Sequence, residues 1–173
     1  LHDAKVWACA EGAGLLSLRN GRLQFSHQQL QEFFAARWLM TSLETHGLEW
    51  DGFTVAVRKR AWDQPLLLLA GIASSALLDS LIEPIAAVDP FLAGRCVGGD
   101  PARVSAATRQ WLAAYLTKAL SFAVNNADRD LVREIVRAAG EMRCEEGLGV
   151  LTQPETAAYA RRWAGSDYYR AVA

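Results

Sequence analysis

The chain has 173 residues, 51% of them apolar and 21% charged, a globular composition that excludes intrinsic disorder. That length suits one ordinary domain or two small ones sharing an interface, and it can bury a core without disulfides or metals. With 18 basic against 19 acidic residues and a formal charge of −1, no global field draws the chain to nucleic acid or to an anionic membrane.

Cys9, Cys96 and Cys144 are odd in number, far apart and without a CxxC pair. They fit a reducing compartment and read as small buried hydrophobes. The three histidines do not fall at metal-ligand spacing with these thiols. The first residues lack the basic stretch and apolar run of a signal peptide. The apolar run Pro65–Ala73 is flanked by Asp63, Gln64 and Ser74 and is far short of the roughly 20 residues a membrane span needs. A cytoplasmic location is expected. The chain begins at Leu1 inside a helix-compatible stretch, which suggests a piece of a longer polypeptide.

In chain order, residues 3–11 are helix-compatible and Gly12 and Gly14 end the run. Leu15–Leu18 and Arg22–Phe25 alternate apolar and polar residues around Arg19-Asn20-Gly21. Asn-Gly between such runs predicts a β-hairpin, because both residues tolerate positive φ. Ser26 with Gln29 reads as a capping box, opening a helix over 27–44. Leu30, Phe33, Phe34, Trp38 and Leu39 share its apolar face. Phe33, Phe34 and Trp38 are expected to be core, and Gln31 and Glu32 a polar pair on the helix surface.

Residues 45–53 read as a loop. Helices are then expected over 55–72, 75–88, 90–97, 101–125, 128–145, 154–163 and 167–172, with Val55–Val57 open to a strand reading. Asp89-Pro90 and Asp100-Pro101 each put a capping residue before a proline. Asn126, Asp128 and Asp130 mark another start, and Thr152–Glu155 a further capping box. Gly98-Gly99 and Gly147–Gly149 read as helix stops. The expected fold is therefore mainly α. Residues 1–46 form a first unit with the hairpin at 15–26, and 54–173 form a helical region, either a HEAT-like array of paired helices or an irregular superhelical bundle.

The stretch Gly14–Leu39 resembles the end of the winged-helix module in NACHT-family STAND ATPases. There a GLL-type lead-in to a hairpin is followed by an FxHxxxQEFxAA-like helix. The matching residues here are Phe25, His27, Gln31, Glu32, Phe33, Ala35 and Ala36. A looser similarity follows: Trp62, the run Leu66–Gly71, and Asp89-Pro-Phe-Leu-Ala-Gly-Arg-Cys96 look like the helical region after the winged helix in bacterial members. Beyond about residue 100 no motif extends the resemblance.

The resemblance implies that His27 reaches the β-phosphate of bound ADP and helps hold a closed resting state. A histidine at a helix N-terminus lies beside free N–H donors and a positive dipole end, which favour an anion. The competing reading is that His27 bonds the hairpin backbone and packs beneath the helix. The chain has no GxxxxGK[ST] loop and no magnesium-binding carboxylate pair at a strand end. It is thus expected to be non-catalytic, meeting ADP or ATP only through a nucleotide-binding domain upstream. Its expected partners are that domain and a protein or ligand trigger acting on the C-terminal region, and the resemblance implies a role in bacterial defence.

Three other readings compete. A nucleotide-independent helical interaction module would show an apolar groove along helices 101–125 and 128–145. A winged-helix DNA binder is disfavoured, since residues 3–11 hold one lysine against two acids. An enzyme is disfavoured because no nucleophile–base set stands out. The basic runs Arg58-Lys59-Arg60 and Arg161-Arg162 read as solvated or as contacts to another domain. The six tryptophans read as core or inter-helix wedges, not as a base-stacking platform.

Overall fold

The computed structural model describes residues 10, 12–48 and 51–157. The expected helix at 167–172, nearly all of that at 3–11, most of that at 154–163, and Cys9, Trp7, Trp50, Trp163 and Arg161-Arg162 lie outside them.

The hairpin is present. Strands β1 (Leu16–Arg19) and β2 (Arg22–Phe25) pair antiparallel with Arg19 opposite Arg22. Asn20 and Gly21 lie between them at φ 53° and 71°, the left-handed pair that matches the twist of the strands. The Ser26 N–H donates to the Leu15 carbonyl, which carries the pairing one residue past the strands. That bond ties Ser26 to the hairpin, and it is not the cap of the helix that follows. The N-cap is His27, whose carbonyl accepts from the N–H groups of Leu30 and Gln31.

Helix α1 (Gln28–His46) runs two residues further than expected and stops at Gly47, φ 75°. The expected loop then proves partly helical, because Asp51–Val57 forms a short helix, α2, that buries Phe53, Ala56 and Val57. Val55–Val57 is therefore not a strand. A 3-10 turn at Arg60–Trp62 leads into α3 (Asp63–Ile72), so the expected single helix 55–72 is broken in two.

The remaining helices are α4 (Ser75–Ala86), α5 (Pro90–Gly99), α6 (Ala106–Asn125), α7 (Arg129–Glu141) and α8 (Glu145–Leu151). Ser74, Asp89, Ser105 and Asp128 cap α4 to α7, each accepting the N–H three residues on. Asp100-Pro101 opens only a 3-10 turn, and α6 starts later, behind Ser105. Asn126 closes α6 by donating to the Phe122 carbonyl and does not open α7. The expected stop at Gly98-Gly99 falls within two residues of the end of α5, which takes in Gly98 and has Gly99 as its last residue. Gly147 and Gly149 do not stop a helix, for both lie inside α8. Thr152 is the C-cap of α8, its hydroxyl donating to Gly149, and residues 154–157 are helical after it.

Packing follows a regular order. Helix α1 lies on α3, α3 on α5 and α5 on α7, while α4 lies on α6 and α6 on α8. Apart from the short α2, whose main contact is with the 3-10 turn at Arg60–Trp62, each helix thus meets the one two places along. The two rows are joined where α4 packs on α5, α6 on α7 and α7 on α8. A single core runs the length of the assembly, from Leu39 and Leu43 through Leu69, Ile82, Leu92 and Leu116 to Ile135 and Val150. Burying each large aliphatic side chain contributes about 1.5–3 kcal/mol against exposure. Among the described residues no helix is long and apolar enough to cross a membrane.

Candidate functional site

The residues that carry the family resemblance meet where β2 runs into α1. Ser26 is tied back to the hairpin, so the chain must turn at His27, which sits extended at φ −127°, ψ 129°. The His27 side chain makes no capping bond to the helix, and the residue is exposed. Its exposure does not fit packing beneath the helix. The carbonyl of His27 takes the N–H groups of Leu30 and Gln31, and the first-turn amides of Gln28 and Gln29 have no acceptor within the helix. An exposed imidazole and free N–H donors therefore share one end of α1, a combination suited to an anion.

The other matched residues are placed around that end. The Gln28 side-chain amide donates to Glu32 at 2.7 Å, one turn on, and Gln31 is exposed. Glu32 is a helix-surface acceptor for Gln28. Ala36 is fully buried and belongs to the core-facing stripe with Leu39 and Leu43.

The aromatic residues are where the expectation fails. Phe33, Phe34 and Trp38 are 41%, 51% and 52% exposed. Helical phase explains this: the following helices cover the Ala36–Leu39–Leu43 stripe, and the aromatics lie off it. They gather on the surface instead. Phe34 stacks on Phe25 of the hairpin at 5.4 Å between ring centroids, Phe33 meets Phe34 edge-on at 5.7 Å, and Trp38 reaches Trp62 at 6.1 Å. Their spacing in the sequence could not distinguish this from core, because a phase shift of about 100° separates one face from the next.

Of the other candidates, Arg60 spans Asp63 at 3.5 Å and the buried cap Asp89 at 3.3 Å, while Arg58 and Lys59 are exposed. Trp62 and Trp111 are half-buried, Trp111 stacking on Tyr115 at 5.5 Å. Cys96 is buried in the core, and desolvation pushes its thiol up to about 12. Burial also raises the half-buried Cys144 thiol, against a hydrogen bond from Gly147. Neither cysteine is held as a thiolate nucleophile.

At the far end of the molecule an open hollow of about 430 Å³ lies between α7 and α8, lined by Ala139, Gly140, Arg143, Cys144, Leu148 and Leu151 among others. Leu148 at its wall is 54% exposed, as is Phe122 on α6 at 64%. Among the described residues no cluster of histidine, cysteine or carboxylate side chains could hold a metal ion. No protein-family model matches the chain, and neither a curated protein nor a solved structure is significantly similar to it.

Proposed function

We propose that this chain is a regulatory and scaffold segment of a NACHT-type signalling ATPase, with the hairpin and α1 closing its winged-helix module and α3–α8 forming a HEAT-like array. The observation that carries this is His27, exposed at the N-terminus of α1 and without a capping bond, on the residue pattern that resembles the family. The order in which the helices from α3 on pack on the one two places along supports the array. In this reading the imidazole and the first-turn amides of α1 meet an ADP phosphate held by a nucleotide-binding domain upstream in the parent protein. The segment itself does no chemistry. Loss of that contact frees the module and passes nucleotide state to the helices behind it, and so to a sensing region. The parent would act in the cytoplasm, in bacterial defence or a comparable response.

The test is ADP binding by calorimetry in the longer parent polypeptide, with and without His27→Ala. Tighter ADP retention in the unsubstituted protein is expected. Equal affinity in a folded variant would sink the sensor role.

A second reading, a helical interaction module independent of nucleotide, is favoured by the exposed Phe33, Phe34 and Trp38. Aromatic side chains of this kind anchor protein interfaces. Retention of a protein partner by the nucleotide-free protein, abolished by Phe34→Ala, distinguishes it from the first.

A further inference from the structure

The segment between α5 and α6 is held by charged side chains that join distant parts of the stack. The Arg103 guanidinium donates to the carbonyls of Ala70 at 3.3 Å and Gly71 at 2.6 Å, and also to that of Ala73. These are the last carbonyls of α3 and its C-cap, which have no acceptor role inside the helix. Two residues on, the Ser105 N–H donates to Asp79 of α4 at 2.9 Å. Arg109, in the first turn of α6, reaches back to the same segment. One arm of its guanidinium donates to the carbonyls of Pro101 at 3.0 Å and Val104 at 2.6 Å. Its Nε donates in another direction, to the Glu146 carboxylate of α8 at 3.1 Å.

These bonds run without interruption from the end of α3, through Arg103 and the 101–104 segment, to Arg109 and the start of α8. The two helices at its ends are not packing neighbours. The geometry makes the links dependent on each other. Arg103 lies between Pro101 and Val104, whose carbonyls are the acceptors that hold Arg109. Displacing the segment at Arg103 therefore moves both acceptors, and Arg109 cannot follow them without turning its Nε away from Glu146. The Arg109 and Glu146 side chains are only 21% and 19% exposed, so water does not readily replace their bond.

We propose that Arg103, Arg109 and Glu146 form a relay that couples the end of α3 to the start of α8, so that the two open together. Arg103 and Arg109 are positioning residues here. The coupling is a property of this chain and does not depend on the nucleotide reading above; in that reading it supplies a route from the winged-helix end to the far end of the stack.

Amide hydrogen exchange of the whole chain tests it, in Arg103→Gln and Glu146→Gln, with the amides of Leu92–Val97 in α5 as the gauge of global opening. In Arg103→Gln, exchange at Leu148–Leu151 is expected to speed up about tenfold, the scale of one charge-assisted bond, with Leu92–Val97 unchanged. In Glu146→Gln the same rise is expected at Ala70–Ala73. An effect of Arg103→Gln confined to Ala70–Ala73 overturns the relay. So does an equal rise in α5, which would mean that the substitution weakens the whole fold and not a shared local unit.

Discussion

Gly98 of α5 lies directly against the main-chain carbonyl of Glu141 in α7, with no room between them for a Cβ atom. Gly94, one turn earlier on the same face, stands in the same relation to the Ala138 carbonyl. The two glycines are four residues apart, the spacing that lets two helix backbones approach closely. On the α7 side the crossing is completed by fully buried Ala138 and by Ala139, which is 1% exposed. The centre of the stack is thus held by backbone packed on backbone.

Gly98→Ala and Gly94→Ala should each destabilise the fold by about 1–3 kcal/mol, the usual cost of forcing a methyl group into a packed contact. The check is a urea titration, read as a lower midpoint at unchanged slope. Gly99→Ala is the control. A Cβ there meets nothing within 4 Å, and stability should hold or rise slightly as helix propensity improves.

The two faces of α1 should respond very differently to truncation. Leu39 is fully buried, so Leu39→Ala should cost about 2–5 kcal/mol. Phe34 is 51% exposed, and Phe34→Ala should cost about 1 kcal/mol, chiefly the stacking on Phe25. Thermal melts of the two variants side by side would show it. A Phe34→Ala loss as large as that of Leu39→Ala would mean that the aromatic cluster is core after all.

Alkylation should discriminate between the thiols. Cys96 is buried and its thiol pushed up to about 12, whereas Cys144 is half-buried with a smaller rise. Iodoacetamide at neutral pH, followed by peptide mass spectrometry, should label Cys144 slowly and Cys96 only after denaturant is added.

Glu146 predicts a pH dependence. Its carboxyl is held below the ordinary value of 4.5, first by the N–H of its own backbone, against burial, which raises it, and with further lowering by Cys144 and the Arg109 guanidinium. A carboxylate with a depressed folded-state pKa stabilises fully above its unfolded value and loses that contribution as pH falls through the folded one. The stability gap between the unsubstituted chain and Glu146→Gln should accordingly be constant from about pH 6 to 7. It should close on acidification below 4.5. Melts across that range decide it, and a gap that widens in acid would reverse the assignment.

Much of this molecule is legible in local chemistry. Asn20-Gly21 specifies its hairpin because few other pairs reach positive φ twice in succession. Asp89 before Pro90, and Asp128 at the start of α7, announce helix starts because a short side-chain oxygen reaches the amide three residues on, whatever lies around it. The mainly helical character follows from such signals and from apolar residues at helical spacing. The turn at His27 was legible only as a residue pattern; its exposure was not.

Other features depend on partners far away in the chain. Gly98 and Gly147 read as helix stops, since a glycine in isolation weakens a helix; both lie inside one because another helix presses its backbone against them. Ser26 has the residues of a cap yet is drawn into the hairpin by the Leu15 carbonyl. Phe33, Phe34 and Trp38 have the composition of a core and face outward because α3 covers a different stripe of α1. The relay through Arg103 and Arg109 has no local signature at all, for its acceptors are main-chain carbonyls that any sequence supplies. Caps and turns are settled within about four residues. Which face is buried, and which glycine is crowded, is settled by the helix that arrives from elsewhere in the chain.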